Sequence, residues 1–171
     1  TSLSAATADV IKVMQAAGFD LVIVETSGIG QSDRGIVDVS DLSVYVMTQE
    51  FGAHTQLEKI NMIDVADLIA VNKYDRQGSE DAVKAVRNQY RRAHVLFDPS
   101  IGDETLPVYG TIASRFHDDG VNALYHGLRD KLLEFGGREW PSTIEVPAKR
   151  TSSDRGSIIP KEKTRYLADI T

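Results

Sequence analysis

Hydrophobic and polar positions along the chain follow two periods in turn, and these predict helices and strands. Residues 5–17 place Val10, Val13 and Met14 on one face at helical spacing, and Gly18 is predicted to end that helix. Residues 21–24 then form a continuous apolar run, which is typical of a strand buried on both faces of a parallel sheet. The chain therefore begins with a predicted helix and a predicted buried strand.

The same alternation continues along the chain. Strands are predicted at 42–47, 68–71 and 107–111, and helices at 56–65, 79–94 and 121–135. Ser79 is expected to be an N-cap, and Gly136-Gly137 to end the last helix. Strands that alternate with helices indicate an α/β fold with a mostly parallel sheet. Ligands of such sheets bind beyond the carboxyl ends of the strands, so we expect function in the loops that follow the strands.

Composition narrows the class of protein. The 171 residues, 42% apolar and 26% charged, suffice for one globular domain with a core. No apolar run approaches the roughly 20 residues that span a bilayer, so no membrane segment is expected. The absence of cysteine excludes disulfides and thiolate sites and fits a cytoplasmic protein. The net charge of -6 argues against a nucleic-acid surface.

The character of the sequence changes at Arg138. Residues 138–165 carry three prolines and many charges, with few apolar positions. We therefore predict a domain at 1–137 and a linker or tail at 138–171. The four histidines are scattered and are expected to be solvated or capping residues, not metal ligands.

The strongest chemical signal is Asn72-Lys73-Tyr74-Asp75, directly after a predicted buried strand. The Asp75 carboxylate can accept hydrogen bonds from N1–H and the 2-amino group of guanine, whereas adenine offers neither donor. A carboxylate left without those partners is costly, so such a site selects guanine steeply. Asn72 can bond the base edge and tie loops together, and the Lys73 stem can lie over the base. The alternative is an ordinary strand exit capped by polar residues.

Two further loops fit the same chemistry. Glu25-Thr26-Ser27-Gly28 follows the first predicted strand, where GTPases place an acid for Mg²⁺ and a glycine whose N–H faces the γ-phosphate. Residues 28–33 would then be a mobile switch that includes Gln31. The alternative for Glu25 is a strand-end acid that caps its turn. After the last strand, Ala113 and Ser114 stand where GTPases present a backbone N–H to guanine O6.

A rival interpretation uses the same first loop. The pattern Gly28-x-Gly30-x-x-Asp33 approaches the fingerprint of a dinucleotide-binding unit for NAD or FAD. Asp33 stands where the third glycine belongs, and its negative charge would lie near a pyrophosphate. No G-x-x-x-x-G-K-[ST] phosphate loop occurs in the chain. We therefore expect a partial P-loop NTPase-like domain whose phosphate-binding portion lies elsewhere in the polypeptide, and little GTP hydrolysis by this segment alone.

Longer stretches resemble a known family. Residues 18–31, 46–53, 55–60 and 107–116 are similar to the MeaB/ArgK family of GTPases, the G-protein chaperones of adenosylcobalamin-dependent acyl-CoA mutases. The resemblance covers about residues 5–135. It implies a GTPase that binds GTP or GDP with Mg²⁺, here as part of a mutase polypeptide.

The resemblance also implies roles for individual residues. The residues implied to bind the nucleotide are Asn72, Lys73, Asp75, Ala113 and Ser114. Glu25 is implied to bind the metal, and Glu25 and Gly28 to take part in catalysis. The residues implied to form the switch are Gln31, Gln49, Gln56 and Lys59. The expected partner is an acyl-CoA mutase domain, reached through the tail, in a parent enzyme that is a homodimer. The expected task is GTP-gated loading and protection of adenosylcobalamin, which this segment does not itself bind. A non-catalytic interaction module derived from a GTPase stays an alternative.

Overall fold

One parallel sheet organises the described part of the chain, which in this computed structural model comprises residues 3–26, 35–51 and 61–153. The strands are β1 (Val44–Thr48), β2 (Leu68–Asn72) and β3 (Val108–Thr111), in the order β1-β2-β3. The helices are α1 (Thr7–Ala16), α2 (Asn61–Val65), α3 (Ser79–Ala93) and α4 (Asp119–Gly136). Short 3-10 turns occupy Gln49–Phe51 and Asp103–Thr105. The predicted α/β fold with a parallel sheet flanked by helices is confirmed.

The two faces of the sheet are covered by different helices. On one face, Met47, Ile69, Val71 and Val108 join the main core with apolar side chains of α2 and α3. On the other, Leu68 and Tyr109 pack against Ala123 of α4. Strands β2 and β3 are therefore both buried on their two faces, which explains their continuous apolar sequences.

The edge strand β1 is covered on one face only. Val44 and Val46 lie in register with Leu68 and Ala70 and so share their face of the sheet. Val44 is nonetheless 41% exposed and Val46 is 59% exposed. Helix α4 packs against β3 and β2 and makes few or no contacts with β1. An apolar strip on β1 is therefore left open among the described residues.

Two local predictions from the sequence are wrong. Residues 21–24 form no strand; Leu21 is 42% exposed and Ile23 is 83% exposed. A strand needs a hydrogen-bonded neighbour, and this segment pairs with no described strand. Ser79 is not the N-cap of α3 but its first residue, because Gly78 occupies the cap with φ 86°. The first half of the predicted helix 56–65 lies outside the described residues.

Helix α1 forms as predicted but packs against little. Val10, Val13 and Met14 are exposed, and none of its residues is buried. Gly18 follows it with φ 83°, the left-handed conformation expected after a helix end. No helix in the described ranges is long and apolar enough to cross a membrane.

Residues 138–153 fold back on the domain. The buried His126 ring of α4 is hydrogen-bonded to the Ile144 carbonyl at 3.0 Å, and Arg129 Nε donates to the Trp140 carbonyl. Residues 150–153, which we call the strap, reach the outer edge of β3. There the Gly110 N–H donates to the Arg150 carbonyl at 2.9 Å. The function of the 138–171 segment as a connection to a further domain stays a prediction.

Helix α4 approaches β3 so closely that only glycine fits at one position. A Cβ on Gly120 would lie 1.9 Å from the Gly110 carbonyl oxygen, a backbone atom that cannot rotate away. Gly136, in the last turn of the same helix, has nothing within 4 Å of its Cβ position. Gly120 and Gly136, two of the three glycines of α4, therefore provide a matched comparison.

We predict that Gly120→Ala lowers the free energy of unfolding by about 2 kcal/mol or more, because helix and strand must separate. Gly136→Ala should leave it unchanged or raise it by up to about 1 kcal/mol, since alanine favours helix. Urea unfolding of the chain, followed by the fluorescence of its single tryptophan, Trp140, measures both. Equal effects of the two substitutions would contradict the close approach.

The open strip on β1 predicts self-association of the isolated 171-residue chain, since an exposed apolar edge strand is a template for further pairing. Val46→Lys should shift the chain toward monomer in sedimentation velocity because lysine blocks such an edge. Val146→Lys, at a valine that is 74% exposed and lies outside the sheet, is the control. A wild-type chain that is monomeric and melts sharply would count against this prediction.

Candidate functional site

The carboxyl ends of β2 and β3 bring two predicted loops together. Asn72, the last residue of β2, is in register with Thr111, the last residue of β3. The Asn72 side-chain oxygen accepts hydrogen bonds from the Thr111 hydroxyl at 3.3 Å and from the Ala113 N–H at 3.0 Å. One amide side chain therefore joins the 72–75 loop to the 113–114 loop.

The turn after β2 is held by its own hydrogen bonds. Lys73 adopts φ 59°, a left-handed conformation that is uncommon for a residue with a side chain. Its carbonyl accepts from the Ser79 hydroxyl at 3.0 Å and from the Arg76 N–H at 3.0 Å. The Tyr74 N–H donates to the Thr111 carbonyl at 3.0 Å, which ties the turn to β3. Strained backbone held in this way is common at binding sites.

The polar side chains of this site are open to a ligand. Lys73, Asp75, Ala113 and Ser114 are exposed, whereas Asn72 is half-buried. Among the described residues, no hydrogen bond or ion pair engages the Asp75 carboxylate. The structure therefore places the five predicted nucleotide residues at the same end of the sheet and leaves the Asp75 oxygens available as acceptors.

A cleft of about 640 Å³ adjoins this site. Its walls include Asp75, Ser79, Ile112, Arg115 and Ser152. Asn72, Lys73, Ala113 and Ser114 do not line it. The cleft therefore shares the Asp75 side chain with the predicted site but does not coincide with it.

A buried carboxylate that the sequence analysis did not single out fixes the 113–114 loop. The Asp118 side chain is fully buried, and its Oδ2 accepts from the Ile112 N–H at 3.1 Å and from the Val121 N–H at 3.0 Å. It is thus the N-cap of α4 and an anchor for the loop. The sequence did contain a signal for the capping role of Asp118, because an aspartate just before an amphipathic helix is a preferred N-cap. Its second contact depends on the tertiary fold.

The remaining predicted residues are less constrained. Glu25 is exposed, and the Gln49 Oε1 atom is buried without a hydrogen-bond partner among the described residues. Gly28, Gln31, Gln56 and Lys59 lie outside the described residues, as does the dinucleotide-like pattern at 28–33. No group of three or more potential metal-ligating side chains occurs in the described ranges.

Comparison with known proteins finds a family for most of the chain. The model of the family described as "Methylmalonyl Co-A mutase-associated GTPase MeaB" matches residues 1–136. A putative GTPase of Caulobacter vibrioides is 35% identical over 121 residues, which are 70% of this chain and 35% of that protein.

Fused mutases are more similar. Fused isobutyryl-CoA mutase of Geobacillus kaustophilus is 52% identical over 170 residues, 99% of this chain and 15% of that protein. The enzyme of the same name from Paraburkholderia xenovorans is 50% identical over 163 residues, 95% of this chain and 13% of that protein. The chain thus spans less than a sixth of the length of either fused mutase.

We predict that Asn72→Ala releases the 113–114 loop, because two hydrogen bonds on one side-chain oxygen are lost. Hydrogen exchange at the Ala113 amide should accelerate by up to about tenfold, the equivalent of one net hydrogen bond. Asn88→Ala, on the exposed face of α3, is the control and should leave that amide unchanged. An Ala113 amide that exchanges equally in all three proteins would show that Asn72 does not hold the loop.

Proposed function

The chain belongs to the family of methylmalonyl-CoA mutase-associated GTPases, MeaB, and we propose that it supplies the guanine-selecting part of a GTPase domain within a longer polypeptide. The observation that carries this proposal is the Asn72 bridge between two strand ends, beside an Asp75 carboxylate that no described residue engages. The bridge holds two loops side by side, so that both can contact the same base. The 72–75 loop offers a carboxylate acceptor, and the 113–114 loop offers a backbone N–H donor.

The proposed base contacts follow from hydrogen-bonding chemistry. Asp75 accepts from the N1–H and the 2-amino group of guanine, and Lys73 lies over the base plane. The Ala113 N–H already donates to Asn72, so we assign the contact with guanine O6 to the next amide, that of Ser114. Adenine would leave the carboxylate facing an acceptor, and an unmatched polar group of this kind is costly.

We assign Mg²⁺ and the γ-phosphate to the loop that begins at Glu25. Magnesium in nucleotide sites takes one or two carboxylates and completes its shell with phosphate oxygens and water. Glu25 is an exposed carboxylate with no ion pair to another described residue, so its chemistry fits that role. When bound, the metal neutralises charge on the phosphates during transfer to water. Gly28 would offer its backbone N–H to the γ-phosphate.

Hydrolysis also needs a loop that holds the phosphates, and G-x-x-x-x-G-K-[ST] does not occur in these 171 residues. We therefore assign GTP hydrolysis to the longer polypeptide, with this chain providing base selection and the Glu25 loop. The proposed switch residues are Gln31, Gln49, Gln56 and Lys59. Their nucleotide-dependent rearrangement would report the γ-phosphate to a partner domain.

We propose an acyl-CoA mutase domain as that partner, because relatives matching nearly the whole chain are named as fused isobutyryl-CoA mutases. The task would be GTP-gated loading and protection of adenosylcobalamin in a cytoplasmic homodimer. No residue of this chain is assigned to cobalamin or acyl-CoA. Residues 138–171 would lead from the GTPase domain toward the mutase domain.

The two alternatives make different predictions. A dinucleotide-binding unit would bind NAD in preference to guanine nucleotides, and family membership argues against it. A non-catalytic interaction module would bind a partner without hydrolysing GTP. Hydrolysis by the full-length protein therefore separates it from a GTPase.

We predict that Asp75→Ala in the full-length protein weakens GDP binding by about 100-fold or more, since two charge-assisted hydrogen bonds are lost. Asp75→Asn should shift preference toward xanthine nucleotides, because the amide can donate to the O2 atom of xanthine. Isothermal titration with GDP, XDP and ADP measures both effects.

Asp81→Ala is the matched control for these variants. Asp81 is also an exposed aspartate near the start of α3, and its nearest cation is Lys84 at 3.8 Å. Its removal should leave GDP affinity unchanged. Unaltered GDP affinity in both Asp75 variants would refute the base assignment.

A further inference from the structure

The strap, residues 150–153, extends the sheet beyond β3 at the end that holds the proposed base site. Gly110 N–H donates to the Arg150 carbonyl at 2.9 Å, and Ser152 N–H donates to the Gly110 carbonyl at 2.8 Å. These two bonds form a parallel bridge between Gly110 and Thr151. The strap therefore pairs with β3 one residue before Thr111, where the base loop begins.

Ser152 connects the strap to the 113–114 loop through Asp118. The Ser152 hydroxyl lies 2.7 Å from Asp118 Oδ2 and 3.1 Å from the Gly110 carbonyl. Its single proton goes to the carboxylate, because that contact is shorter and the carbonyl already accepts from the Ser152 N–H. Asp118 Oδ2 also accepts from the Ile112 N–H, next to Ala113. The strap and the loop thus share one buried carboxylate oxygen.

Thr151 connects the strap to the 72–75 loop through Tyr74. Thr151 pairs with Gly110, on which the Tyr74 ring packs. Burial raises the pKa of Tyr74, and the neighbouring Thr151 side chain acts in the opposite direction. The Tyr74 ring lies over Gly110, where an added Cβ would be 2.6 Å from the ring atom Cδ2. Tyr74 stands between Lys73 and Asp75 in the chain, so its ring joins the loop that carries both residues to Gly110 and the strap.

The packing between these groups leaves little room for independent movement. A Cβ on Gly120 would lie 1.9 Å from the Gly110 carbonyl oxygen and 2.8 Å from the Ser152 hydroxyl. The start of the strap is also anchored, because Arg150 donates to the Leu106 carbonyl at 2.7 Å and to the Tyr109 hydroxyl at 2.9 Å. Displacing the strap therefore requires both loops to change their contacts.

We propose that Thr151 and Ser152 are positioning residues of the guanine-base site, and that strap docking and guanine-nucleotide binding stabilise each other. This inference rests on the proposed function. Because coupling between two equilibria is reciprocal, a base that orders the loops also holds the strap against β3. Nucleotide occupancy is thereby linked to the docking of the strap on β3.

The first experiment compares Ser152→Ala and Thr151→Val with wild type in the full-length protein. Each variant removes a hydroxyl group but keeps the backbone bridge to Gly110. Both should weaken GDP binding about fivefold or more, the lower range of measured coupling between sites. Thr151→Val should also reduce the preference for GDP over IDP, which lacks the 2-amino group, since Asp75 is then less well placed.

Ser142→Ala is the matched control. Ser142 lies in the same segment, and its hydroxyl accepts from the Ile144 N–H at 3.1 Å, with no contact to either loop among the described residues. Its GDP affinity should stay within about twofold of wild type, as for ordinary surface substitutions. A general effect of loosening residues 138–153 would lower affinity here too, which would contradict a specific role of the strap.

The second experiment needs no strap variant and so does not depend on whether one folds. Hydrogen exchange in peptides that cover 150–153 should slow when GDP is added to the full-length protein, and GDP should have no such effect in Asp75→Ala. Failure of wild type to bind guanine nucleotides would overturn both the proposed function and this inference. Asp75-dependent GDP binding with unchanged strap exchange and unaltered affinity in both strap variants would overturn this inference alone.

Discussion

The side-chain oxygen of Asn72 is the contact on which the site depends. It accepts from Thr111 and Ala113, and so makes two loops from distant parts of the chain into one surface. That arrangement is possible because β2 and β3 are parallel neighbours whose last residues lie in register. Parallel pairing places both carboxyl ends at one edge of the sheet, and the bridging amide then sets the distance between the loops.

Close packing behind the loops gives this contact its precision. Gly110 and Gly120 let β3, α4 and the Tyr74 ring approach without a Cβ between them. The buried Asp118 carboxylate joins the amide of Ile112, the start of α4 and the Ser152 hydroxyl of the strap. Buried networks of this kind hold a unique geometry when most of their members are bonded, because an unpaired member is costly. The site is thus rigid in its backbone and open in its side chains.

The sequence was most reliable where local patterns and burial agree. Residues 68–71 read as a strand because β2 is buried on both faces, and residues 121–135 read as a helix because α4 has one apolar face. Prediction from the sequence was wrong where a segment needed a neighbouring strand or where backbone conformation decided the helix start. Residues 21–24 have the composition of a buried strand but pair with no described strand, so Leu21 and Ile23 remain exposed. Ser79 was misplaced as an N-cap because a left-handed Gly78 already turns the chain.

The amino-acid sequence by itself determined the alternation of helices and strands, the loops that carry Asn72, Asp75 and Ala113, and the resemblance that led to the family. Those features depend on periodicity and on residue types at short spacing. Only the tertiary structure decided that Asn72 bridges two loops, that Asp118 anchors one of them and that the strap returns to β3. These contacts join residues separated by 39, 6 and 42 positions along the chain, respectively. The two longest arise only when the sheet and helices have packed, and local propensity carries no information about them.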